Sequence, residues 1–145
     1  MTDITTSAEI GRPAAEVFAY IADMANNPQW QNGQRRCDWT SAPPHGLGST
    51  YDQEARCLGK TITSSFEVTE FEPGRAIRIV STEGSMPIDV TRTVEPLDDD
   101  RCRVTARVRG TPPRAMRLLG PVLDRMVRSS VAKDYERLRA LLENG

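Results

Sequence analysis

Arg101-Cys102-Arg103-Val104-Thr105-Ala106-Arg107-Val108-Arg109-Gly110 alternates without a slip. Cys102, Val104, Ala106 and Val108 are small or apolar, and arginine or threonine fills the positions between them. Successive side chains of a strand point to opposite faces. The stretch therefore predicts a strand with one buried and one wet face, the pattern of an antiparallel sheet.

Upstream of it, from Gln34 on, the same period recurs near Arg36 to Ser41, Ser49 to Cys57, Thr61 to Phe71, Arg75 to Thr82 and Met86 to Val94. Between these segments stand Pro43-Pro44-His45-Gly46, Leu58-Gly59-Lys60, Glu72-Pro73-Gly74, Glu83-Gly84-Ser85 and Asp98-Asp99-Asp100, all turn-forming compositions. Consecutive strands joined by short turns predict an antiparallel meander. A bulge near Thr69 to Phe71 would reverse the facing of residues beyond it.

Downstream, Thr111 to Asn144 reads as one long helix, introduced by Pro112 and Pro113 and extending about 45 Å if straight. Leu119, Leu123, Met126, Val127, Val131, Tyr135, Leu138, Leu141 and Leu142 recur at three- and four-residue steps and form its apolar stripe. Gly120-Pro121 should bend it near the start. A sheet with one apolar face and a helix with one apolar stripe must cover each other.

At the other end, Asp3 to Ile10 reads as a first strand stopped at Gly11. Pro13 suits a first helical turn, and Val17, Phe18 and Ile21 share a face, so 13–22 is a short helix. Asp23 caps a second short helix that must break at Asn26-Asn27-Pro28.

The 145 residues fit a single domain spanning 1–145. Lysine and arginine total 19 against 20 acidic residues, for a net charge of −1. The isoelectric point of about 5.9 is far from the basic balance of a nucleic-acid-binding domain, so no nucleic-acid partner is expected. Apolar runs are too short for a membrane span, and the polar start shows no secretory signal. Cys37, Cys57 and Cys102 lack metal-ligand spacing and read as reduced core residues, so no metal and no cofactor are expected. A cytoplasmic, bacterial setting is the expectation.

The order strand, two short helices, about six strands, long helix, together with specific segments, resembles a known family. These segments are Ile10-Gly11-Arg12-Pro13-Ala14-Ala15-Glu16-Val17-Phe18-Ala19-Tyr20-Ile21-Ala22-Asp23, Asn27-Pro28-Gln29-Trp30, Gly46-Leu47-Gly48-Ser49-Thr50-Tyr51, Phe66-Glu67-Val68-Thr69-Glu70-Phe71-Glu72-Pro73, Val94-Glu95-Pro96 and Leu118-Leu119-Gly120-Pro121. Closing with Leu138-Arg139-Ala140-Leu141-Leu142-Glu143, they resemble the polyketide cyclase/dehydrase and lipid transport family of the START-like, helix-grip superfamily. The resemblance implies an α+β helix-grip fold: a curved antiparallel sheet of about seven strands gripping the C-terminal helix, with two short helices between the first and second strands. It also implies a cavity for an apolar ligand between sheet and helix.

On the predicted registers, Phe66, Ile79 and Val90 face that cavity, with Ser64, Gln53 and Arg92 as inward polar groups. Arg92 is read two ways: a guanidinium that pairs a ligand carboxylate, or one that snorkels to water or pairs with a protein acid. Tyr51 either offers its hydroxyl to a ligand carbonyl or is a core aromatic. Trp30 and Trp39 line the cavity mouth as flat apolar walls, or Trp30 instead fastens the short helices to the sheet. Met116, Leu119, Leu123 and Met126 supply the helix wall, the methionines adapting it to several ligands or serving as ordinary core. His45, the only histidine, reads as an exposed loop residue, which leaves a nucleophilic mechanism without a base. No catalytic residue is assigned.

Three functions follow from this reading. The first is binding or transport of a hydrophobic small molecule such as a lipid, polyketide or aromatic metabolite, by a monomer or homodimer. The second is a cyclase or dehydrase acting on such a ligand, and the third a stress- or chaperone-linked interaction module.

Overall fold

The alternation seen in the sequence becomes one sheet. The computed structural model describes residues 2–57, 59–83, 87–111 and 120–144. Its strands are β1 (Thr2–Ile10), β2 (Gln34–Trp39), β3 (Thr50–Cys57), β4 (Lys60–Glu72), β5 (Ala76–Glu83), β6 (Ile88–Asp98) and β7 (Arg101–Gly110). They form a seven-stranded antiparallel sheet in the order β1-β7-β6-β5-β4-β3-β2. Helix α1 (Ala14–Ala22), a 3₁₀ turn (Met24–Asn26) and α2 (Asn27–Trp30) separate β1 from β2, and α3 (Gly120–Asn144) follows β7. The sheet curls around α3 in the helix-grip arrangement.

On β7, Cys102, Val104 and Ala106 are buried as the alternation requires. They join Ile10, Phe66, Val68, Ile77, Ile79 and Val94 in one core, closed by Val17, Phe18, Ile21 and Met24 from the helical segment and by Tyr135 and Leu138 from α3. The outer face carries an ion ladder. Arg107 pairs with Asp3 at 2.8 Å, and Asp89 receives Arg78 at 2.7 Å and Arg109 at 2.8 Å. The hydrogen bonds from Arg107 and Arg78 hold the carboxyls of Asp3 and Asp89 below the usual range.

Bulges set the registers. Thr69 has no partner on β5, so Phe71, not Glu70, pairs opposite the buried Ile77 and lies against the core. Arg35 is likewise skipped between β2 and β3. A third irregularity, between Pro96 and Asp98, lets β6 run on to Asp98 and not stop near Val94. Pro28, expected to break a helix, instead sits in the first turn of α2, where its missing N–H costs nothing. The break falls one residue earlier, where the 3₁₀ turn gives way to α2.

Two expectations about α3 change. Gly120 and Pro121 open it, so the predicted bend has no described helix upstream, and 112–119 lie outside the described residues. The apolar stripe is also narrower than predicted: Met126 is 59% exposed and Leu141 39%. Hydrogen bonds fasten α3 at both ends and in its middle. Thr2 donates to Asp124 (2.9 Å), Gly11 N to Glu143 (2.7 Å) and Arg12 Nε to the Leu142 carbonyl (2.9 Å), while Asn32 N donates to Asp134 (3.0 Å) and Arg137 Nε to the Trp30 carbonyl (3.2 Å).

Gly33 and Gly48 both hold φ at +85°, but a Cβ on Gly33 would meet the Arg56 carbonyl oxygen at 3.0 Å while one on Gly48 would meet nothing within 4 Å. Gly33→Ala is therefore expected to cost about 1–3 kcal/mol in urea unfolding, and more than Gly48→Ala. Equal losses would show that the left-handed backbone alone sets the cost.

Candidate functional site

Arg92 lies on β6 between Val90 and Val94, on the inward face, and is 3% exposed. Its Nη1 donates to the Ile21 carbonyl at 2.8 Å, to Asn27 Oδ1 at 3.3 Å and to Met24 Sδ at 3.6 Å. The guanidinium carbon stands 5.0 Å from the centroid of the Trp30 ring. Its Nε has no partner. Among the described residues every bonded partner of Arg92 is neutral, so a full positive charge is buried with a helix-end carbonyl, an amide, a sulfur and a π face around it. A buried charge without a bonded counter-ion is costly, and an anion at this place would relieve that cost.

Beside Arg92, a cavity of about 170 Å³ opens between the sheet and α3. Phe66, Ile79, Ile88 and Val90 give it an apolar floor, with Ala106 and Val108 from β7. Trp30, Val131 and Tyr135 form the opposite wall, Trp30 and Tyr135 meeting edge to face at 5.0 Å. Gln31, Gln34, Gln53 and Asp134 add polar groups to the lining. Gln34 donates its amide N–H to Gln31 Oε1, while its own Oε1 is buried without a partner.

Asp134 is the one carboxylate among these lining residues. Its Oδ1 accepts from Asn32 N at 3.0 Å and from Arg137 Nη2 at 2.6 Å. Burial nonetheless raises its pKa above the ordinary value, the bonds from Asn32 and Arg137 and the charge of Arg92 only partly offsetting the desolvation. Burial also pushes the Cys37 thiol up to about 12, away from the reactive thiolate form.

Six of the residues expected at the cavity meet there: Trp30, Gln53, Phe66, Ile79, Val90 and Arg92. Tyr51 does not. It is fully buried between Phe66, stacked at 5.1 Å, and Trp39, edge-on at 5.6 Å, with its hydroxyl unpartnered and its pKa driven up by burial. Ser64 is buried but is not on the wall. Trp39 lines a separate recess with Ala19, Ala22, Phe71 and Ile77. There it donates to Asp23 at 2.9 Å and stacks on His45 at 4.0 Å, so His45 is half-buried and not an exposed loop residue.

On α3, Leu123 is half-buried away from the cavity and Met126 faces solvent. Met116 and Leu119 lie outside the described residues. Sequence reasoning did not single out Gln31, Gln34 or Asp134. Asp134 carried a signal, since it lies three residues after Val131 and next to Tyr135 at the edge of the stripe. Gln34 carried none, because the skipped Arg35 decides which way it faces.

A family model described as polyketide cyclase / dehydrase and lipid transport matches residues 1–143. No curated protein matches the chain in sequence. Among solved structures, TTHA0849 from Thermus thermophilus is similar with a TM-score of 0.80 at 17% identity, covering 95% of this chain and 94% of that one. A START superfamily protein from Mycobacterium smegmatis gives 0.71 at 18% identity, covering 99% and 96%. The di-domain ARO/CYC BexL from the BE-7585A biosynthetic pathway gives 0.72 at 17% identity, covering 95% of this chain but 46% of that one. Identities this low speak to the fold. Among the described residues no helix is long and apolar enough to cross a membrane.

A carboxyl whose folded pKa is raised binds its proton more tightly in the folded than in the unfolded chain. Asp134 therefore costs stability as pH rises from the unfolded value of 3.8 through its higher folded value. Asp134→Asn is expected to gain stability relative to the parent across that rise, read as the difference in urea midpoints at a series of pH values. A difference that stays flat, or that falls with pH, would mean that the Arg137 bond outweighs the burial.

Proposed function

The chain belongs to the polyketide cyclase/dehydrase and lipid transport family, and from that premise we propose that it binds a hydrophobic small molecule carrying an acidic group in the cavity between sheet and α3. The observation that carries this reading is the buried guanidinium of Arg92, which borders an apolar cavity and, among the described residues, bonds only to neutral partners. Burial of the ligand's apolar surface against Phe66, Ile79, Val90 and Trp30 supplies the affinity, at about 25 cal/mol per Å². Arg92 fixes which end of the ligand goes in, by a charge-assisted bond that water does not screen.

A cyclase-type role is the second reading, and the same residue favours it. A fixed guanidinium in a water-poor site stabilises the negative oxygen of an enolate as well as that of a carboxylate. Two of the similar structures are di-domain ARO/CYC proteins. Tyr51 does not serve as the proton donor in this reading, since its hydroxyl is sealed away from the cavity wall.

Native mass spectrometry of gently purified protein, followed by organic extraction, is expected to reveal a stoichiometric organic acid. Arg92→Gln should lower affinity for that acid at least tenfold while leaving a neutral analogue of equal size little changed. An apo mass, together with no thermal shift against aromatic and aliphatic acids, would overturn the proposal. Turnover of the bound acid, lost in Arg92→Gln while the neutral analogue still binds, would select the cyclase reading over the carrier.

A further inference from the structure

Among the described residues, four buried side-chain atoms have no hydrogen-bond partner: Trp30 Nε1, Gln34 Oε1, the Tyr51 hydroxyl and Arg92 Nε. Unpartnered buried polar groups are uncommon in folded proteins and call for an explanation. These are not scattered. Trp30, Gln34 and Arg92 all line the 170 Å³ cavity, and Tyr51 stacks on Phe66, which lines it too.

They also divide by chemistry into donors and acceptors. Arg92 and Trp30, the guanidinium carbon 5.0 Å from the ring centroid, hold unspent donors. On β2 and α3 stand acceptors: the free Oε1 of Gln34 and the carboxylate of Asp134. A ligand that satisfies both sides brings acceptor oxygens to Arg92 and a hydrogen-bond donor to Gln34 and Asp134.

Size narrows the choice further. A dry cavity of about 150 Å³ accommodates a benzene ring, whereas pockets for drug-sized ligands run to about 300–1,000 Å³. At about 170 Å³, this cavity matches a single ring and is smaller than a drug-sized pocket.

We propose that the ligand is a single-ring hydroxylated aromatic acid, its carboxylate toward Arg92 and its hydroxyl toward Gln34 and Asp134. This rests on the reading of the cavity as a site for an acidic apolar ligand, and it fixes the class within that reading. The hydroxyl matters because a site built around an unpaired acceptor discriminates strongly against an analogue that lacks the donor.

Isothermal titration of the full chain with 3- and 4-hydroxybenzoate, benzoate, 4-hydroxybenzyl alcohol and dodecanoate tests it. The better hydroxybenzoate is expected to bind at least tenfold more tightly than benzoate, which lacks the donor, and than the alcohol, which lacks the acid. Gln34→Leu should erase the advantage over benzoate and leave the affinity for benzoate itself intact. Dodecanoate binding with neither hydroxybenzoate bound would overturn the single-ring class and leave the acidic-ligand reading standing. Equal binding of benzoate and the hydroxybenzoates would overturn the donor end. No binding by any of these acids would overturn the class and count against the parent reading as well.

Discussion

The Arg92 guanidinium ties the sheet to all three short helical segments. From the middle of the sheet it holds the last carbonyl-bearing turn of α1 through Ile21, the 3₁₀ turn through Met24, and α2 through Asn27 and the Trp30 ring. Those segments in turn hold α3, since the Trp30 carbonyl takes Arg137 and Asn32 N reaches Asp134. A single buried charge thus links β6 to the C-terminal helix through the short helices. Its desolvation is offset mainly by neutral acceptors and a ring, which leaves the charge available to a ligand.

The opposite face of the sheet handles charge differently. Arg78, Asp89, Arg107 and Asp3 alternate in sign across neighbouring strands and stay in contact with water. Exposed pairs of this kind add little stability each. They do make the arginine-rich side of β7 a charge-balanced surface. The sheet therefore carries arginine in two settings, and among the described residues the inward one bonds to no carboxylate.

Much of this was legible in the chain. Strict alternation in β7 identified the buried face, and carrying the same parity into β4, β5 and β6 put Phe66, Ile79, Val90 and Arg92 on one wall. That logic holds only while the register does, and it fails where an extra residue enters. Skipping Arg35 turns Gln34 inward, and Thr69 brings Phe71 to the core. Tyr51 shows a different limit: parity gives its facing correctly, but whether a facing residue meets a cavity or a neighbour depends on volumes that Trp39 and Phe66 fill. Met126 lies outside the covered strip because a helical stripe at three- and four-residue steps is wider than the surface the sheet offers it.

The sheet order has a kinetic consequence. β1 has no strand partner other than β7, so Ile10 must wait for Cys102, and Thr2 for Gly110, before either can zip. Loop-closure entropy is spent long before those pairings return anything. The β2–β7 meander, built from neighbours in sequence, can assemble without it. Docking of the N-terminal strand and of the C-terminal helix packed against it then comes late, and until it happens the inner face with the Arg92 guanidinium stands open to water.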